Sequence, residues 1–419
     1  MRARGGRRRT FCLRLQIVSG VGSRRLQIAL VAGEHSGDQL GFRLMGALRQ
    51  SLDGEVGFFG VGGEAMEGEG LRSLFPISDI AVMGIMPVLA RLPTLIARIR
   101  QTAGAIVAAR PDALVIIDSP DFTHRVARRV RKAMPNLPIV DYVSPSVWAW
   151  RQGRAKAMRA YVDCVLALLP FEPAAYVRLD GPRCVYVGHP LIERLNDLRP
   201  NPDEARRRGA EPPIVAVLPG SRRSEIRRLM DDFGGALQIL RDVLGSFIAV
   251  LPTLPHIEDE VRARAALWPQ APQIVVGETP KFETFRNARA ALAASGTVTL
   301  ELALAGVPMV GAYKVGLVEE QLKYLIKVPS ILLPNLILGE GAIPEKVQRD
   351  CTPAALGAAL TDLVRDGPQR QAQAQALARF DQLMRLPDGR APSVHAASAV
   401  LETIAARKSH LREPGRVTG

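Results

Sequence analysis

The sequence predicts an α/β fold of two domains, each organised around a parallel sheet. Three observations carry this. The chain has 419 residues, too many for one compact core and suited to two domains of ordinary size. Short, continuously apolar runs such as Ala113–Ile117 and Ile214–Leu218 end in glycine, proline or carboxylate loops and lead into amphipathic segments, as parallel strands buried on both faces do. Between the two sets of runs lies NDLRPNPDEARRRGAEPP, polar, charged and proline-bearing, which reads as a linker with a short helix.

Composition narrows the class. The net charge is +14, but eight arginines and no acid fall in residues 1–25. That leader could be a basic arm for nucleic acid or anionic lipid, or an upstream extension with no structural role. Its apolar run is broken by Arg14 and Gln16, so it makes a poor signal peptide. Nowhere is there an apolar run of the ~18 residues a spanning helix needs. Four widely spaced cysteines without a C-x-x-C pair point to neither a metal cluster nor a disulfide framework, and fit a reducing compartment.

In chain order, LQIALVAGEHSGDQLGFRLMGALRQ opens the fold as a strand (26–31), a polar loop and a helix (39–49). Gly33 and Gly37 would let the backbone approach a ligand closely, and Glu34, His35, Ser36 and Asp38 crowd the loop with polar groups. The spacing matches neither a dinucleotide fingerprint nor a Walker sequence, and a plain glycine turn is the competing reading. Apolar residues then cluster from 82 to 96, among them Ile85, Met86, Val88, Leu89, Leu92 and Leu95, with Arg91 and Arg98 beside them. Such an element can lie in a membrane interface with arginine heads on lipid phosphates; a core-facing helix, broken at Pro87 and Pro93, is the alternative.

In ALVIIDSPDF, Asp118 sits at the carboxyl end of a strand, where α/β proteins face their ligand crevice. It suits a general base on a sugar hydroxyl, or a cap on the following turn. YVSPSVWAWRQGR places Ser144, Ser146, Trp148, Trp150 and Arg151 in one turn; the tryptophans could stack on an apolar or sugar surface, or form a core satellite. Glu172 in LPFE suits capping or ligand contact. His189 in GHPL suits a ligand or a hinge.

The second domain opens on IVAVLPGSRRSEI. Pro219 and Gly220 end the strand and Ser221 stands where a helix N-cap belongs. Free backbone N–H groups and the positive helix end would then meet at the sheet mouth, where a phosphate can bind, with Arg222 and Arg223 alongside. A strand–helix turn with solvated arginines fits as well. ASGTVTLELALAG repeats the arrangement: Ser295, Gly296 and Thr297 form a glycine–hydroxyl loop, and Glu301 follows one turn later, placed to accept hydrogen bonds from a ribose diol. Capping by Ser295 and Thr297 competes. Two anion-binding loops in one domain suggest a nucleotide site, not a nucleic-acid groove. The last helix is PSVHAASAVLETIAA, with a frayed tail expected from Arg407.

Together VAGEHSGDQLG, AVMGI, IDSPDF, YVSPSVWAWRQGR, LPFE, GHPL, LPGSR, ASGT with Glu301, and LPNL resemble the lipid-A-disaccharide synthases, bacterial glycosyltransferases, over residues 26–403. The resemblance implies two Rossmann-like domains facing a cleft, the glycosyltransferase B-type fold, with a C-terminal helix returning to the first domain. The expected divisions are a basic leader (1–25), disordered or preceding the true start; an acceptor and membrane-contact domain (26–195); a linker (196–211); a UDP-sugar-binding domain (212–380); the returning helix (381–406); and a tail (407–419). The family joins UDP-2,3-diacylglucosamine to 2,3-diacylglucosamine 1-phosphate, giving the β-1,6-linked disaccharide 1-phosphate and UDP, with inversion and with no cofactor or required metal. Its members are peripheral enzymes on the cytoplasmic face of the inner membrane. An anionic phospholipid surface is therefore an implied partner through Ile85, Met86, Val88, Leu89, Arg91, Leu92, Leu95 and Arg98. Nucleic acid is not, and a homo-oligomer is left open.

By the same resemblance, Asp118 matches the catalytic carboxylate, and Arg222, with Gly220 and Ser221, the UDP diphosphate contact. Ser295, Gly296 and Thr297 match the diphosphate region, Glu301 the ribose contact and Asn335 in LPNL the donor-site wall. Gly33, Glu34, Ser36, Gly37, Asp38, Ser144, Ser146, Trp148, Arg151 and His189 border the acceptor cleft. Residue 35 is commonly not histidine in the family, and 340–348 departs from the usual loop. The rival expectations are a related UDP-sugar transferase with another lipid acceptor and a non-catalytic basic membrane adaptor.

Overall fold

In both halves the chain runs strand, helix, strand in one direction, so every strand lies parallel to its neighbours. The computed structural model describes residues 25–52, 55–80, 91–316 and 328–412. The first sheet contains β1 (Leu26–Ala32), β2 (Val56–Val61), β3 (Arg72–Ser73), β4 (Ala113–Ile117), β5 (Ile139–Tyr142), β6 (Cys164–Ala167) and β7 (Arg183–Tyr186), in the order 3-2-1-4-5-6-7. The second contains β8 (Ile214–Leu218), β9 (Ile248–Thr253), β10 (Gln273–Val276), β11 (Ala290–Ala294), β12 (Met309–Tyr313) and β13 (Glu345–Val347), in the order 10-9-8-11-12-13. Each sheet therefore reverses its winding once, between β1 and β4 and between β8 and β11. At such a switch point the two flanking loops diverge and leave a crevice beyond the carboxyl ends of the strands.

Burial explains why these runs are strands. Every residue of β4 and β11 is buried, and helices cover both faces. The helix α1 (His35–Ser51) presents Leu40, Leu44 and Leu48, spaced by four, to the first core. Leu44 is fully buried, so truncating it to alanine should cost roughly 2–5 kcal/mol. Labels α2 (Leu92–Ala109), α3 (Pro120–Ala133), α4 (Arg223–Leu244), α5 (Glu278–Asn287), α6 (Thr297–Ala305) and α7 (Leu333–Leu338) cover the helices that carry or border the site; the last described helix is α8 (Pro392–Arg412). That last helix returns to the first domain, where Ala396, Ala397, Val400 and Ile404 share a core with Leu30, Leu44 and Ile117.

Four expectations change. Helix α1 begins at His35, so His35, Ser36, Gly37 and Asp38 form its first turn and not a loop; Glu34 is extended and its carbonyl accepts from Asp38 N at 3.0 Å. Residues 202–209 form the short helix expected within the linker, but it is docked on the second domain. Asn201 and Glu204 make a capping box, and the Arg208 guanidinium donates to the carbonyls of Phe285, Arg286 and Ala305 at 2.7, 2.8 and 2.9 Å. The returning helix starts at Pro392, not 381, because Phe380–Met384 forms a separate short helix. It then runs through Arg407 without fraying there: Arg407 donates to Pro135 O at 2.7 Å and Lys408 lies 3.2 Å from Asp112. Residues 1–24 and 413–419 of the expected leader and tail lie outside the described residues. Among the described residues no helix is long and apolar enough to cross a membrane.

Candidate active site

The first crevice is built by the loops after β1 and β4. Asp118 directly follows β4 and has φ +54°, and Ser119 follows with φ +43°. Two consecutive non-glycine residues in the left-handed region cost on the order of 1–2 kcal/mol each, so their surroundings must impose the turn. Asp118 N donates to Tyr142 O at 3.0 Å, Thr123 Oγ1 to Asp118 O at 2.7 Å and Ser119 N to Asp118 Oδ1 at 2.8 Å. From the other loop, Ser36 Oγ donates to Asp118 Oδ2 at 3.2 Å, while Glu34 Oε1 accepts from Ser119 Oγ at 3.1 Å. Glu34, Ser36 and Asp118, far apart in the chain, are thus brought together. Asp118 is half-buried, and each oxygen keeps a lone pair free. A carboxylate held in this way can accept a proton.

Both glycines are required by the packing of this loop contact. A Cβ on Gly33 would stand 2.3 Å from Ser119 Cβ, and one on Gly37 would stand 3.2 Å from Ile117 O. Asp38 is a correction. It is only 2% exposed and accepts from the backbone N–H groups of Gly63, Ala65 and Met66 at 2.8, 3.1 and 3.1 Å, so it anchors the helix Glu64–Gly68 and does not border a cleft.

Trp148 is a second correction. Its ring is buried edge-on against Phe171, with centroids 5.0 Å apart, and Nε1 donates to Glu172 Oε1 at 3.0 Å. Ser144 is buried too, with Oγ bonded to Pro145 O and Tyr176 Oη. Glu172 also accepts from Leu169 N at 2.9 Å, so it clamps the two loops together; burial raises its carboxyl to about 7. Ser146 and Arg151 are exposed. The exposed aromatic surface is Trp150, 40% accessible, with the Arg151 guanidinium 4.3 Å above its ring. Sequence reasoning chose the wrong member of the pair, because only packing separates them. His189 is the hinge alternative: Nδ1 accepts from Leu191 N at 3.2 Å, and burial lowers the ring to about 4, so it holds the turn as a neutral imidazole.

The second crevice lies between the loops after β8 and β11. Gly220 has φ +124°, and a Cβ there would meet Glu225 Oε2 at 2.4 Å. The N-cap of α4 is Arg222, one residue later than expected. Glu225 fills the capping role, accepting from Ser221 N and Arg222 N at 2.9 and 3.2 Å and from Arg222 Nη1 at 3.1 Å. Two backbone donors expected to meet phosphate are thus held by the protein's own carboxylate. The R-x-x-E spacing from Arg222 to Glu225 is the signal that was missed. Arg222 and Arg223 keep 62% and 61% of their side chains exposed, and each is paired at 3.1 Å, Arg222 with Glu225 and Arg223 with Glu260.

After β11, Gly296 and Thr297 are exposed, and Ser295 Oγ donates to Ile331 O at 2.9 Å. Glu301 is buried and ion-paired: Lys281 Nζ lies 2.9 Å from both of its oxygens. Asn335 on α7 is a further correction. It exchanges hydrogen bonds with Ile343 N and O at 2.9 Å each, and Nδ2 donates to Glu345 at 2.7 Å. Its amide is fully engaged in tying 335 to 345, so it supports the wall and does not face the donor.

Of the membrane-contact residues, Ile85, Met86, Val88 and Leu89 lie outside the described residues. Leu92 is 39% exposed and Arg91 is exposed, while Leu95 packs partly against the core. Arg98 turns inward, pairing with Asp79 at 2.5 Å and lying 4.5 Å over the Phe75 ring; its charge is spent within the protein.

Two switch-point crevices on two Rossmann-like domains, with a helix returning to the first, define a B-type glycosyltransferase fold. Solved structures agree on the fold: UDP-GlcNAc 2-epimerase from Neisseria meningitidis (10% identity, TM-score 0.56, covering 93% of this chain and 100% of that one) and MurG from Acinetobacter baumannii (15%, 0.55, 90% and 99%). The family profile of lipid-A-disaccharide synthetase matches residues 28–399. The lipid-A-disaccharide synthase of Nitrobacter hamburgensis is 57% identical over 383 residues, 91% of this chain and 96% of the relative; that of Bradyrhizobium diazoefficiens is 55% identical over 379 residues, 90% and 96%. The chain belongs to the lipid-A-disaccharide synthase family. It is a UDP-sugar-dependent glycosyltransferase.

Proposed function

We propose that the chain transfers 2,3-diacylglucosamine from UDP-2,3-diacylglucosamine to the 6-hydroxyl of 2,3-diacylglucosamine 1-phosphate, releasing UDP. Family membership over nine-tenths of the chain supports the reaction. The observation that carries the mechanism is Asp118, held in a strained turn at the first switch point with Ser36 and Glu34 around it. Asp118 takes the acceptor hydroxyl proton as that oxygen attacks the anomeric carbon; the bond from that carbon to UDP breaks on the opposite face, and the centre inverts. Charge grows on the departing diphosphate. Exposed Arg222, the Ser221 hydroxyl and the Gly296–Thr297 loop at the start of α6 meet it, while Glu301 takes the ribose diol.

In this reading the first domain selects the acceptor, with Trp150, Ser146 and Arg151 on the exposed rim of the crevice. The enzyme works on the cytoplasmic face of the inner membrane, because both substrates are amphiphiles. Exposed Arg91 and Leu92 at the start of α2, continuing the apolar stretch before them, make the lipid contact. The decisive experiment incubates purified protein with the two acylated sugars and identifies the product by mass. A tetraacyl disaccharide 1-phosphate with stoichiometric UDP is expected; UDP release only with another acceptor would overturn the reading.

A further inference from the structure

The ion pair between Lys281 and Glu301 is absorbed by no step above. The two residues lie 20 positions apart on different helices, α5 and α6, yet one ammonium stands 2.9 Å from both carboxylate oxygens. Glu301 is 8% exposed, one turn beyond the Ser295–Thr297 loop. Lys281 is itself fixed, with Nζ 4.7 Å from the centroid of the Phe282 ring, and the Arg194 guanidinium lies 4.6 Å from the same centroid. Arg194 in turn pairs with Glu278 at 2.6 Å.

The geometry points to Lys281 as a positioning residue of the nucleotide site, gripping both oxygens of Glu301 so that their remaining lone pairs face two hydroxyl groups of a ribose. Each carboxylate oxygen has two acceptor sites; the ammonium takes one on each, and a vicinal diol takes the others. The inference rests on the ribose role proposed for Glu301. The charged groups facing this carboxylate are Lys281 and Glu278 from α5 and Arg194 from the turn at 190–194. Burial pushes the Glu301 carboxyl up, Lys281 is the largest influence pulling it down, Glu278 adds to the rise and Arg194 opposes it more weakly. Without Lys281 the main influence opposing burial is gone, so the carboxyl is pushed further up, toward the protonated form in which one acceptor oxygen becomes a donor.

The test is calorimetric binding of UDP and 2′-deoxy-UDP between pH 6.5 and 9. Wild type should prefer UDP and vary little with pH. Lys281→Met should bind UDP roughly tenfold more weakly at pH 7, the scale of a lost hydrogen bond to a charged group, and recover as pH rises and Glu301 ionises. Lys281→Arg should keep most of the affinity. In a Glu301→Gln background, adding Lys281→Met should change affinity less than about twofold; this double variant leaves no unpaired buried charge and decides the matter if Lys281→Met alone fails to fold. Wild-type affinity with a flat pH profile in Lys281→Met would overturn the proposal. So would a further tenfold loss in the Glu301→Gln background, which would make Lys281 a direct nucleotide contact. Indifference of the wild type to the 2′-hydroxyl would instead remove the ribose role of Glu301 itself.

Discussion

The two switch-point crevices have the same topology and opposite states of readiness. Beyond β4, Asp118 is held by a strained backbone and by hydrogen bonds from Ser36 and Ser119 at 3.2 and 2.8 Å, with accepting capacity to spare. Beyond β8 and β11, many of the expected ligand groups already have internal partners. Glu225 holds the loop amides, Lys281 holds Glu301, and Ile331 O holds Ser295. A base must be aimed before its substrate arrives, whereas a nucleotide can bring charge enough to displace or share an internal contact. On the proposed roles, the first domain holds its base in advance with acceptor sites free. In the second, Lys281 keeps Glu301 in place and the loop amides must exchange Glu225 for the nucleotide.

The largest effect that could break this contrast is at Asp118. Asp118→Ala should slow transfer by roughly 10²–10⁴-fold with UDP affinity unchanged in calorimetry; near-normal turnover would show that the aimed carboxylate is not the base. Next comes the clamp under the first crevice. Burial raises Glu172 from 4.5 to about 7, so the folded protein keeps a proton there that the unfolded chain releases. That contribution is full below pH 4.5 and lost as pH rises through 7, on the order of 3 kcal/mol. Denaturation profiles of wild type should carry this slope, and Glu172→Gln should abolish it.

Smaller effects sharpen the second crevice. Asn335→Ala strands Ile343 N and O and should cost about 1–3 kcal/mol in unfolding experiments, with little change in UDP affinity. The reverse pattern would restore Asn335 as a donor contact. Arg222→Ala should weaken UDP about tenfold, the scale of one charge-assisted contact, and unchanged affinity would leave the exposed guanidinium without a role. Smallest of all, Arg91→Glu should reduce binding to anionic vesicles several-fold, roughly 1 kcal/mol for one basic group, while Arg98→Glu acts mainly through the lost Asp79 and Phe75 contacts. Equal losses from both at unchanged stability would return Arg98 to the lipid surface.

How much was legible follows the range of the interaction. Apolar runs and the loops that end them are local, so β4, β8 and β11 could be placed within a residue, and Asp118 could be set at a strand end. Helix starts were less secure: Ser221 looked like the N-cap, but Glu225 at the capping-box spacing took the amides and moved the start to Arg222. Side-chain direction was not legible at all. Trp148 and Trp150 lie two positions apart in one turn yet have opposite surroundings in space, and Asp38 sits among polar residues yet points to amides 25–28 positions away.

Length, apolar periodicity and the motif set alone determined two α/β domains and the family resemblance, because these depend on which residues occur and how they are spaced. Only the tertiary structure decided which carboxylates are spent and which are free. Asp38, Glu172, Glu225 and Glu345 each satisfy donors brought to them by folding, whereas Asp118 stands half-buried at the end of β4 with lone pairs to spare. A carboxylate's function depends on what lies within about 3 Å of it, and in this chain many of those neighbours come from distant parts of the sequence.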